Sequence, residues 1–259
     1  MSRVERVRST DDPRLAPFVG MYAADERSDQ FCIVESRLAV DALLASRYQP
    51  VSLLLAHRLV DSVAPLIDAF PGDVLVADQD VINQTVGFNM HRGVVASARR
   101  GAPLRVNDIV ADATRVVVTE GVTDPENLGG LFRNAAAFGV DGLLLDSTTC
   151  DPLSRRTIRV SLGHALRVPF ARSSVDEAVG ALRAARITTV ALTPHRSATD
   201  VRDLPTDARY ALLVGNEGDG LSDAARQSAD ITARIAMADG VDSLNVATAA
   251  AVALAFLRA

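Results

Sequence analysis

Short aliphatic and β-branched runs alternate with amphipathic stretches from residue 30 to the end of the chain, and this alternation restricts the fold more than any other feature. Aliphatic runs bounded by polar residues predict strands, and apolar residues at helical spacing predict helices. In the first part of the chain the pattern predicts strands at residues 31–34, 51–56, 74–77 and 91–96 and helices at 38–46, 60–70 and 78–85. Strands that alternate with helices indicate an α/β fold, in which helices cover the faces of a sheet.

A second series of strands and helices follows residue 112. It predicts strands at residues 115–119, 142–145, 188–192, 210–214 and 231–235 and helices at 128–138, 175–185 and from 244 onward. Gly139 follows the first of these helices, where a left-handed residue commonly ends a helix. Hydrophobic residues make up 48% of the chain and aromatic residues only 4%, which suits helices packed on buried parallel strands. We therefore expect a C-terminal parallel sheet and a smaller N-terminal α/β/α domain.

Length and helix breakers indicate how the 259 residues divide into domains. The chain is longer than most single domains, so two hydrophobic cores are expected. Gly101 and Pro103 interrupt the pattern where the composition changes. The predicted organisation is an N-terminal extension at residues 1–28, a first domain at 29–103, a linker at 104–112 and a second domain at 113–259.

All 27 residues in the combined lysine and arginine count are arginines. The absence of lysine excludes the phosphate-binding loop, Schiff-base enzymes and the protein-kinase fold. The formal net charge of −5 disfavours a protein that simply coats nucleic acid, because phosphate neutralisation requires an excess of cations. Arginine clusters at residues 99–100, 155–159 and 167–172 fit a local nucleic-acid patch and a solvated surface equally well.

Metal, disulfide and membrane signals are missing from the sequence. Cys32 and Cys150 lie far apart, and the four histidines have no metal-ligand spacing, so we expect neither a disulfide framework nor a metal site. The apolar stretch at residues 246–257 is shorter than the roughly 20 residues that a membrane span needs, and no secretory leader is recognisable. These features predict a cytoplasmic protein without a membrane partner.

A first candidate site lies at residues 123–135, where a strand gives way to a helix. Ligands of open α/β sheets bind at this edge. Two glycines allow the backbone to approach a ligand, Asn127 can donate and accept at the helix start, and Arg133 follows about two helical turns later. A capped helix with a surface arginine explains the same residues.

A second candidate site lies at residues 213–222, where a strand runs into the glycine-rich turn Gly215-Asn216-Glu217-Gly218-Asp219-Gly220. The spacing is not GxGxxG, the acidic residues lie inside the loop and no lysine follows, so a phosphate cradle is disfavoured. A polar turn without a ligand explains this segment equally well.

A third candidate site lies at residues 235–246, which contain a strand, a glycine turn and the start of the last helix. Serine is a preferred N-cap residue, so Ser243 is interpreted as the cap of the last helix. Asn245 precedes a run of aliphatic residues, and a buried amide requires a hydrogen-bonding partner. We therefore expect a polar group close to Asn245.

The order NxGxxxRxA, GNEGxG and SLNV resembles the SpoU/TrmH branch of the SPOUT RNA methyltransferases, over residues 113–259. This resemblance implies a C-terminal trefoil knot, S-adenosylmethionine as the cofactor and a homodimer in which an arginine reaches across the interface. The stretch HRGVVA in the first domain resembles a ribosomal-protein-like RNA-binding domain, so His91 and Arg92 are possible RNA contacts. The implied partner is structured RNA, with ribosomal RNA favoured over transfer RNA.

The same resemblance assigns roles to individual residues. The implied catalytic residues are Arg133, Asn127, Glu217, Ser243 and Asn245. The implied cofactor-binding residues are Gly215, Asn216, Glu217, Gly218, Ile235, Met237 and Leu244. Because a guanidinium is hard to deprotonate, we interpret Arg133 as a fixed positive charge that stabilises the attacking ribose 2′-oxygen, not as a base.

Two positions depart from the family pattern. Ala236 stands where the family usually has a proline between the isoleucine and methionine of the third motif, so cofactor affinity is in doubt. Ser154 stands where a tyrosine is common, which leaves the implied chemistry intact.

Two alternatives to an RNA 2′-O-methyltransferase remain open. The first is an RNA-binding or ribosome-assembly factor that kept the knot and lost catalysis, which the acidic charge and Ala236 allow. The second is a small-molecule enzyme built on the same sheet.

Overall fold

A computed structural model describes residues 4–21, 30–91, 93–205 and 209–257. In those residues the strands are β1 (Val4–Arg6), β2 (Phe31–Glu35), β3 (Gln49–Ala56), β4 (Asp73–Ala77), β5 (Val94–Arg99), β6 (Arg115–Glu120), β7 (Gly142–Leu145), β8 (Phe170–Arg172), β9 (Thr188–Leu192), β10 (Thr199–Asp200), β11 (Tyr210–Gly215) and β12 (Ile231–Arg234). The α-helices there are α1 (Arg37–Leu44), α2 (Ala64–Ala69), α3 (Gln79–Val86), α4 (Val106–Val110), α5 (Pro125–Ala137), α6 (Arg155–Val160), α7 (Val175–Ala184), α8 (Asp223–Ser228) and α9 (Val246–Phe256). Arg92, an expected RNA contact, lies outside the described residues.

The chain forms two compact units. The first contains Met1–Ala102 and Leu153–Arg167, and the second contains Pro103–Pro152 and Val168–Ala259. Among the described residues, every helix is too short or too polar to cross a membrane.

The first unit is built on a five-stranded sheet in the order β1-β4-β3-β5-β2. The first three strands are parallel, and β5 runs antiparallel to both of its neighbours. Leu54 and Leu75 of the sheet share a buried core with Ile82 of α3 and with Leu15 and Phe18 of a 3₁₀ turn at Pro13–Phe18. Burial of these aliphatic and aromatic side chains stabilises the unit.

The segment Leu153–Arg167 belongs to the first unit although it lies within the second predicted domain. Its helix α6 packs against β2, where Arg155 Nη1 donates to Glu35 Oε2 at 2.7 Å. Both side chains are only 8% exposed, so this is a buried ion pair between residues 120 positions apart. Ser154 caps α6 by accepting from Thr157 N–H, so the departure from the family's tyrosine forms a helix start.

The second unit contains a seven-stranded sheet in the order β10-β12-β9-β11-β6-β7-β8. Every pairing of neighbouring strands in it is parallel, which confirms the predicted parallel sheet. Aliphatic side chains of the strands pack with α4 and α7 into a buried core that includes Val116, Leu144 and Leu182. The run Leu212–Val214 is buried throughout, as expected for a central parallel strand.

Helices α5 and α9 pack closely against each other in the second unit. A Cβ added to Gly130 would lie 2.8 Å from the Cβ of Ala247, so the glycine permits the close approach. Asn134 Nδ2 also donates to Ala247 O at 2.7 Å. The alanine-rich composition of α9 thus serves helix packing within a single chain.

Three predicted features differ from the structure. Residues 104–112 are not a linker: they contain α4, whose Val106, Ile109 and Val110 are buried in the core of the second unit. The spacing of these three residues is helical, and the breakers before them obscured it. The predicted extension contributes β1, which pairs with β4. The helix predicted at 60–70 is confined to α2, because Pro65 lies in the first helical turn, where a missing N–H costs nothing.

Two arginines of the clusters, Arg155 and Arg172, match neither a nucleic-acid patch nor a solvated surface. Arg155 is neither solvated nor free to bind phosphate, because it is buried and paired with Glu35. Arg172 donates to the carbonyl oxygens of Asp146, Thr149 and Cys150, so it holds a loop of the second unit. These arginines therefore organise the protein's own backbone and side chains.

Candidate active site

Loops that follow β6, β9, β11 and β12 surround a cavity of about 560 Å³ in the second unit, here called the strand-end cavity. The residues predicted to bind the cofactor all line it: Gly215, Asn216, Glu217, Gly218, Ile235, Met237 and Leu244. Of the predicted catalytic residues, Asn127, Glu217, Ser243 and Asn245 also line it. Three motifs that are far apart in sequence thus share one site at the carboxyl ends of parallel strands.

A chain of hydrogen bonds connects one side chain from each motif. Asn127 Nδ2 donates to Glu217 Oε1 at 2.8 Å, and Asn245 Nδ2 donates to Asn127 Oδ1 at 2.6 Å. Asn245 Oδ1 in turn accepts from the backbone N–H groups of Ala247 and Thr248. Because an ionised carboxylate only accepts, Glu217 fixes the orientation of both amides. These hydrogen bonds therefore couple the positions of the three loops.

The predicted polar partner of Asn245 is confirmed as Asn127, but the capping assignment was wrong. Asn245, not Ser243, is the N-cap of α9, and its side chain is exposed instead of buried. An amide that caps a helix satisfies backbone N–H groups that otherwise lack partners. This explains why an asparagine precedes an aliphatic helix.

The turn after β11 has a very compact backbone. A Cβ added to Gly215 would lie 2.2 Å from Gly220 C and from Leu221 N, so no larger residue fits without a backbone shift. Asn216 Oδ1 accepts from Gly218 N–H at 2.6 Å, and Asn216 Nδ2 donates to Gly121 O at 3.0 Å. The backbone N–H and C=O of Asn216 also bond to Gly220 O at 3.2 Å and Gly220 N–H at 3.1 Å. Both the side chain and the backbone of Asn216 are therefore occupied in holding the turn.

Negative charge dominates the strand-end cavity. Asp124, Glu217 and Asp219 line it, and no arginine or histidine occurs among its described lining residues. Apolar side chains such as Leu192 and Leu244 form the rest of its wall. Within the part of the chain that the structure describes, no group of His, Cys, Asp or Glu side chains is arranged to hold a metal ion. The cavity therefore suits a ligand with apolar surface and positive charge.

The loop that follows β7 is hydrogen-bonded to the loop that precedes the first motif. Asp146 accepts from Gly121 N–H at 2.9 Å and from Thr149 N–H at 3.0 Å, and it also accepts from the Thr148 and Thr149 hydroxyls. Burial alone would raise the pKa of Asp146, but these hydrogen bonds outweigh it and hold the pKa below its ordinary value. Asp146 therefore stays ionised and keeps the loop after β6 in place.

Arg133 is the predicted catalytic residue that the structure does not bring to the cavity. It lies on α5, is exposed and is not among the lining residues. Ala236 likewise does not line the cavity, although Ile235 and Met237 on either side of it do. The departure from the family's proline therefore lies outside the lining of the cavity.

Sequence reasoning missed several residues of the cavity. Asp124 caps α5, and Thr193 and Pro194 follow β9. β9 pairs with β11 in the parallel sheet, so its carboxyl end lies at the same edge as the second motif. The strand prediction at residues 188–192 was therefore the signal that could have identified Thr193 and Pro194.

A parallel α/β sheet with a compact cavity at its strand ends defines an α/β protein with a small-molecule site. Residues 114–255 match the family model described as the SpoU rRNA Methylase family. The chain therefore belongs to this family, and the resemblance inferred from the three motifs is confirmed.

Individual relatives are similar over most of the chain. An uncharacterized tRNA/rRNA methyltransferase of Mycobacterium bovis is 40% identical over 259 aligned positions, which cover 96% of this chain and 90% of the relative. The 23S rRNA (guanosine-2′-O-)-methyltransferase RlmB of Escherichia coli is 29% identical and covers 83% of this chain and 93% of its own length. The crystal structure of an AdoMet-bound rRNA methyltransferase from Sinorhizobium meliloti superposes with a TM-score of 0.82 at 28% identity, covering 98% of this chain and 97% of that one.

Proposed function

We propose that this chain transfers a methyl group from S-adenosylmethionine to a ribose 2′-hydroxyl of ribosomal RNA. The observation that carries the proposal is the strand-end cavity, in which the three family motifs meet and are joined by the Asn127–Glu217–Asn245 hydrogen bonds. The family membership and the AdoMet-bound relative support the cofactor. The named activity of RlmB supports the ribose of ribosomal RNA as the acceptor.

The residues of the cavity fit S-adenosylmethionine. Its volume of about 560 Å³ lies within the range of roughly 300–1,000 Å³ found for small-molecule sites. Ile235 and Leu244 offer apolar surface to an adenine ring, while the backbone groups of the glycine-rich turn offer hydrogen bonds to its edge. Glu217 and Asp219 favour a cationic ligand, whereas a dinucleotide would require cations for its phosphates. When bound, the cofactor supplies an electrophilic methyl group on a sulfonium centre.

The chain's own residues must position the ribose and stabilise the oxygen that loses its proton. A guanidinium group is not deprotonated in proteins, so Arg133 can stabilise a developing alkoxide but cannot take the proton. The proton of the 2′-hydroxyl then leaves to solvent. Asn127, Glu217 and Asn245 hold the loops of the site, and the exposed Ser243 is available to orient the ribose.

A homodimer accounts for the position of Arg133. The side chain is exposed and does not line the cavity of its own chain, so we propose that it completes the site of a second copy. Phe256 of α9 is 46% exposed, which gives a second copy apolar surface to cover. Together these features favour a shared site over one completed within a single chain.

Further parts of the proposal rest on the resemblance to the family. The C-terminal segment is proposed to form a trefoil knot, and the first unit is proposed to bind structured RNA, ribosomal in preference to transfer RNA. Ribosomal RNA as the substrate supports a cytoplasmic location.

Transfer of labelled methyl from S-adenosylmethionine to total RNA tests the proposed activity, with a small-molecule pool as the comparison. Arg133→Ala is expected to lower transfer to RNA by about a thousandfold, because it removes a charge that acts mainly on the transition state. Cofactor affinity, measured by calorimetry, should change by no more than a few-fold. Arg183→Ala is the matched control, since Arg183 is an exposed arginine of α7 outside the cavity.

Two outcomes would contradict these assignments. A fully active Arg133→Ala variant removes Arg133 from the mechanism. Wild-type protein that fails to bind the cofactor at millimolar concentration favours an RNA-binding factor without catalysis.

Mixing two inactive variants tests the shared site. Arg133→Ala chains keep an intact cavity, and Glu217→Ala chains keep an intact Arg133. In randomly reassorted dimers, about a quarter of the sites combine the intact parts of both chains, so activity should return. Two variants that stay inactive after mixing would place Arg133 in the site of its own chain or outside the mechanism.

A further inference from the structure

The first unit contains a cavity of about 540 Å³, here called the Arg159 cavity. Glu35 of β2, the segment from Phe88 to His91 and side chains of α6 line it. All of these residues belong to the first unit, because Leu153–Arg167 clusters with the N-terminal part of the chain. The proposed methyl transfer assigns this cavity no role.

A buried ion pair lies at this cavity. Glu35 and Arg155 are joined at 2.7 Å, and each side chain is 8% exposed. The Arg155 guanidinium carbon lies 5.2 Å from the centre of the Phe88 ring, which is a cation–π distance. Because the two charges compensate each other, the pair fixes the aromatic ring without attracting a charged ligand.

Further polar side chains line the cavity beside this pair. Arg159 lies one helical turn after Arg155 and is a half-buried residue. Its guanidinium has no hydrogen-bond or ion-pair partner in the part of the chain that the structure describes. The exposed side chains of Asn89 and His91 also line the cavity. Asn89 Oδ1 accepts from Asn83 Nδ2 at 3.4 Å, so Asn89 Nδ2 is the group that it offers to a ligand. Of the four arginines at residues 153–167, only Arg155 and Arg159 line the cavity. Because Arg155 is paired with Glu35, Arg159 supplies the uncompensated positive charge of the cavity.

We propose that the Arg159 cavity binds an unpaired nucleotide of the RNA substrate, which rests on the proposed function and extends it. Arg159 contacts a phosphate, the Phe88 ring packs against the base, and the Asn89 amide hydrogen-bonds to the base edge. Arginine matches phosphate oxygens geometrically, and bases stack on aromatic side chains. A base in a duplex is stacked and paired and cannot enter a cavity, so the nucleotide must be unpaired.

Binding of short RNA tests the phosphate contact. The probe is a fluorescent single-stranded RNA of about 12 nucleotides, a length within the range of single-strand sites, and the same strand annealed to its complement is the comparison. Arg159→Gln should weaken single-strand binding about fivefold and reduce the slope of log affinity against log salt by about 0.7, as expected for one lost phosphate contact. Duplex binding should change by less than about twofold.

Arg6→Gln is the matched control for this variant. Arg6 lies on β1, at the opposite edge of the same sheet from β2, and its side chain is 52% exposed. The substitution makes the same change in charge within the same unit, so single-strand affinity and salt slope should both stay at the wild-type values. The proposal is overturned if Arg159→Gln and Arg6→Gln have equal single-strand affinities. It is also overturned if Arg159→Gln loses as much affinity for the duplex as for the single strand.

Substitutions of Phe88 test the stacking contact. Phe88→Tyr retains the ring and should bind the probe as the wild type does, whereas Phe88→Leu should bind about tenfold more weakly. Since Phe88 also packs against the core of the first unit, the unfolding midpoints of both variants are compared. Equal affinities of the Tyr and Leu variants overturn the stacking contact.

Methyl transfer separates this inference from the proposed function. Arg159→Gln should raise the KM for RNA about fivefold while kcat and cofactor affinity stay within about twofold, as for a lost substrate contact. Wild-type protein that transfers no methyl to RNA would refute the proposed function, and the binding assay would still judge the cavity because it needs no catalysis. The KM of Arg159→Gln is also compared on protein-free RNA and on assembled ribosomal particles. A higher KM on the particles alone would indicate that Arg159 contacts a protein, and it would overturn the proposal.

Discussion

The strand-end cavity and the Arg159 cavity have nearly the same volume, about 560 and about 540 Å³, but opposite electrostatic character. The first is lined by three acidic side chains and by no arginine or histidine among its described residues. The second contains two arginines and a histidine, with its carboxylate Glu35 already neutralised by Arg155. The sign of charge thus separates a site suited to a cationic cofactor from a site suited to a phosphate-bearing substrate.

The two cavities also differ in how they are held together. Loops and hydrogen bonds to backbone groups form the strand-end cavity, with Gly215 and Asn216 in a turn that tolerates no added Cβ. A buried ion pair between distant segments underlies the Arg159 cavity. Compact backbone gives precise positions for a small cofactor, whereas a charged pair joins two segments that are far apart in sequence.

The largest stability effect is expected from the ion pair of the first unit. Glu35→Gln leaves the Arg155 charge buried without its carboxylate and should lower the free energy of unfolding by about 3 kcal/mol. Asp41→Asn is the control, because its pair with Arg37 is more than half exposed and should change stability by less than about 0.5 kcal/mol. Denaturant unfolding measures both, and similar values would show that the buried pair does not hold α6 in place.

A smaller effect is expected from the turn of the second unit. Gly215→Ala forces the backbone near Gly220 apart and should cost about 2 kcal/mol of stability, together with at least about tenfold in cofactor affinity. Gly180→Ala, on α7, meets no atom within 4 Å and should stabilise the protein by about 0.5 kcal/mol. Unchanged cofactor binding by Gly215→Ala would show that the turn is not part of the cofactor site.

The acidic character of the strand-end cavity can be tested with two ligands of different charge. Asp219→Asn should weaken binding of S-adenosylmethionine about twofold to threefold relative to S-adenosylhomocysteine, which lacks the sulfonium charge. Asp112→Asn is the control, since Asp112 is exposed and lies outside the cavity. Calorimetry with both ligands gives the ratio, and an unchanged ratio would remove Asp219 from charge recognition.

The reactivity of the Cys150 thiol tests the negative charge of Asp124 and Glu217, and here the smallest effect is expected. Burial, opposed by Arg172 and assisted by acidic neighbours that include Asp124 and Glu217, raises the pKa of the Cys150 thiol to about 11. In a Cys32→Ala background, alkylation by iodoacetamide should therefore accelerate about tenfold per pH unit from about pH 8 to about pH 10, because only the thiolate reacts. A rate that levels off near pH 9 would contradict the raised pKa.

Much of the strand-end cavity could be predicted because the resemblance to the family assigns its motif residues and the hydrophobic pattern places each motif at a strand end. Gly215, Glu217 and Asn245 each follow or precede a strand or helix that the hydrophobic pattern locates, and parallel strands bring such ends to one edge. The sequence pattern does not indicate Thr193, because only the pairing of β9 with β11 places this residue at the strand-end cavity. Sequence spacing does not report strand order.

The Arg159 cavity could not be predicted in the same way. Arg155 looked like part of a surface cluster, yet it pairs with a carboxylate 120 positions away. The segment Leu153–Arg167 belongs to the first unit because its helix packs against β2. This packing leaves no periodic signal in the segment itself. The expected linker at residues 104–112 was wrong for a related reason, because buried contacts of α4 outweighed the breakers that precede it.

The sequence by itself determined the α/β alternation, the parallel character of the second sheet and the family, because the hydrophobic period and the order of the motifs can both be read directly along the chain. The tertiary structure decided which side chains meet: it joined Asn127, Glu217 and Asn245, left Arg133 outside the cavity and paired Arg155 with Glu35. Those contacts depend on strand order and helix packing between distant segments. A linear pattern of residues does not encode either of them directly.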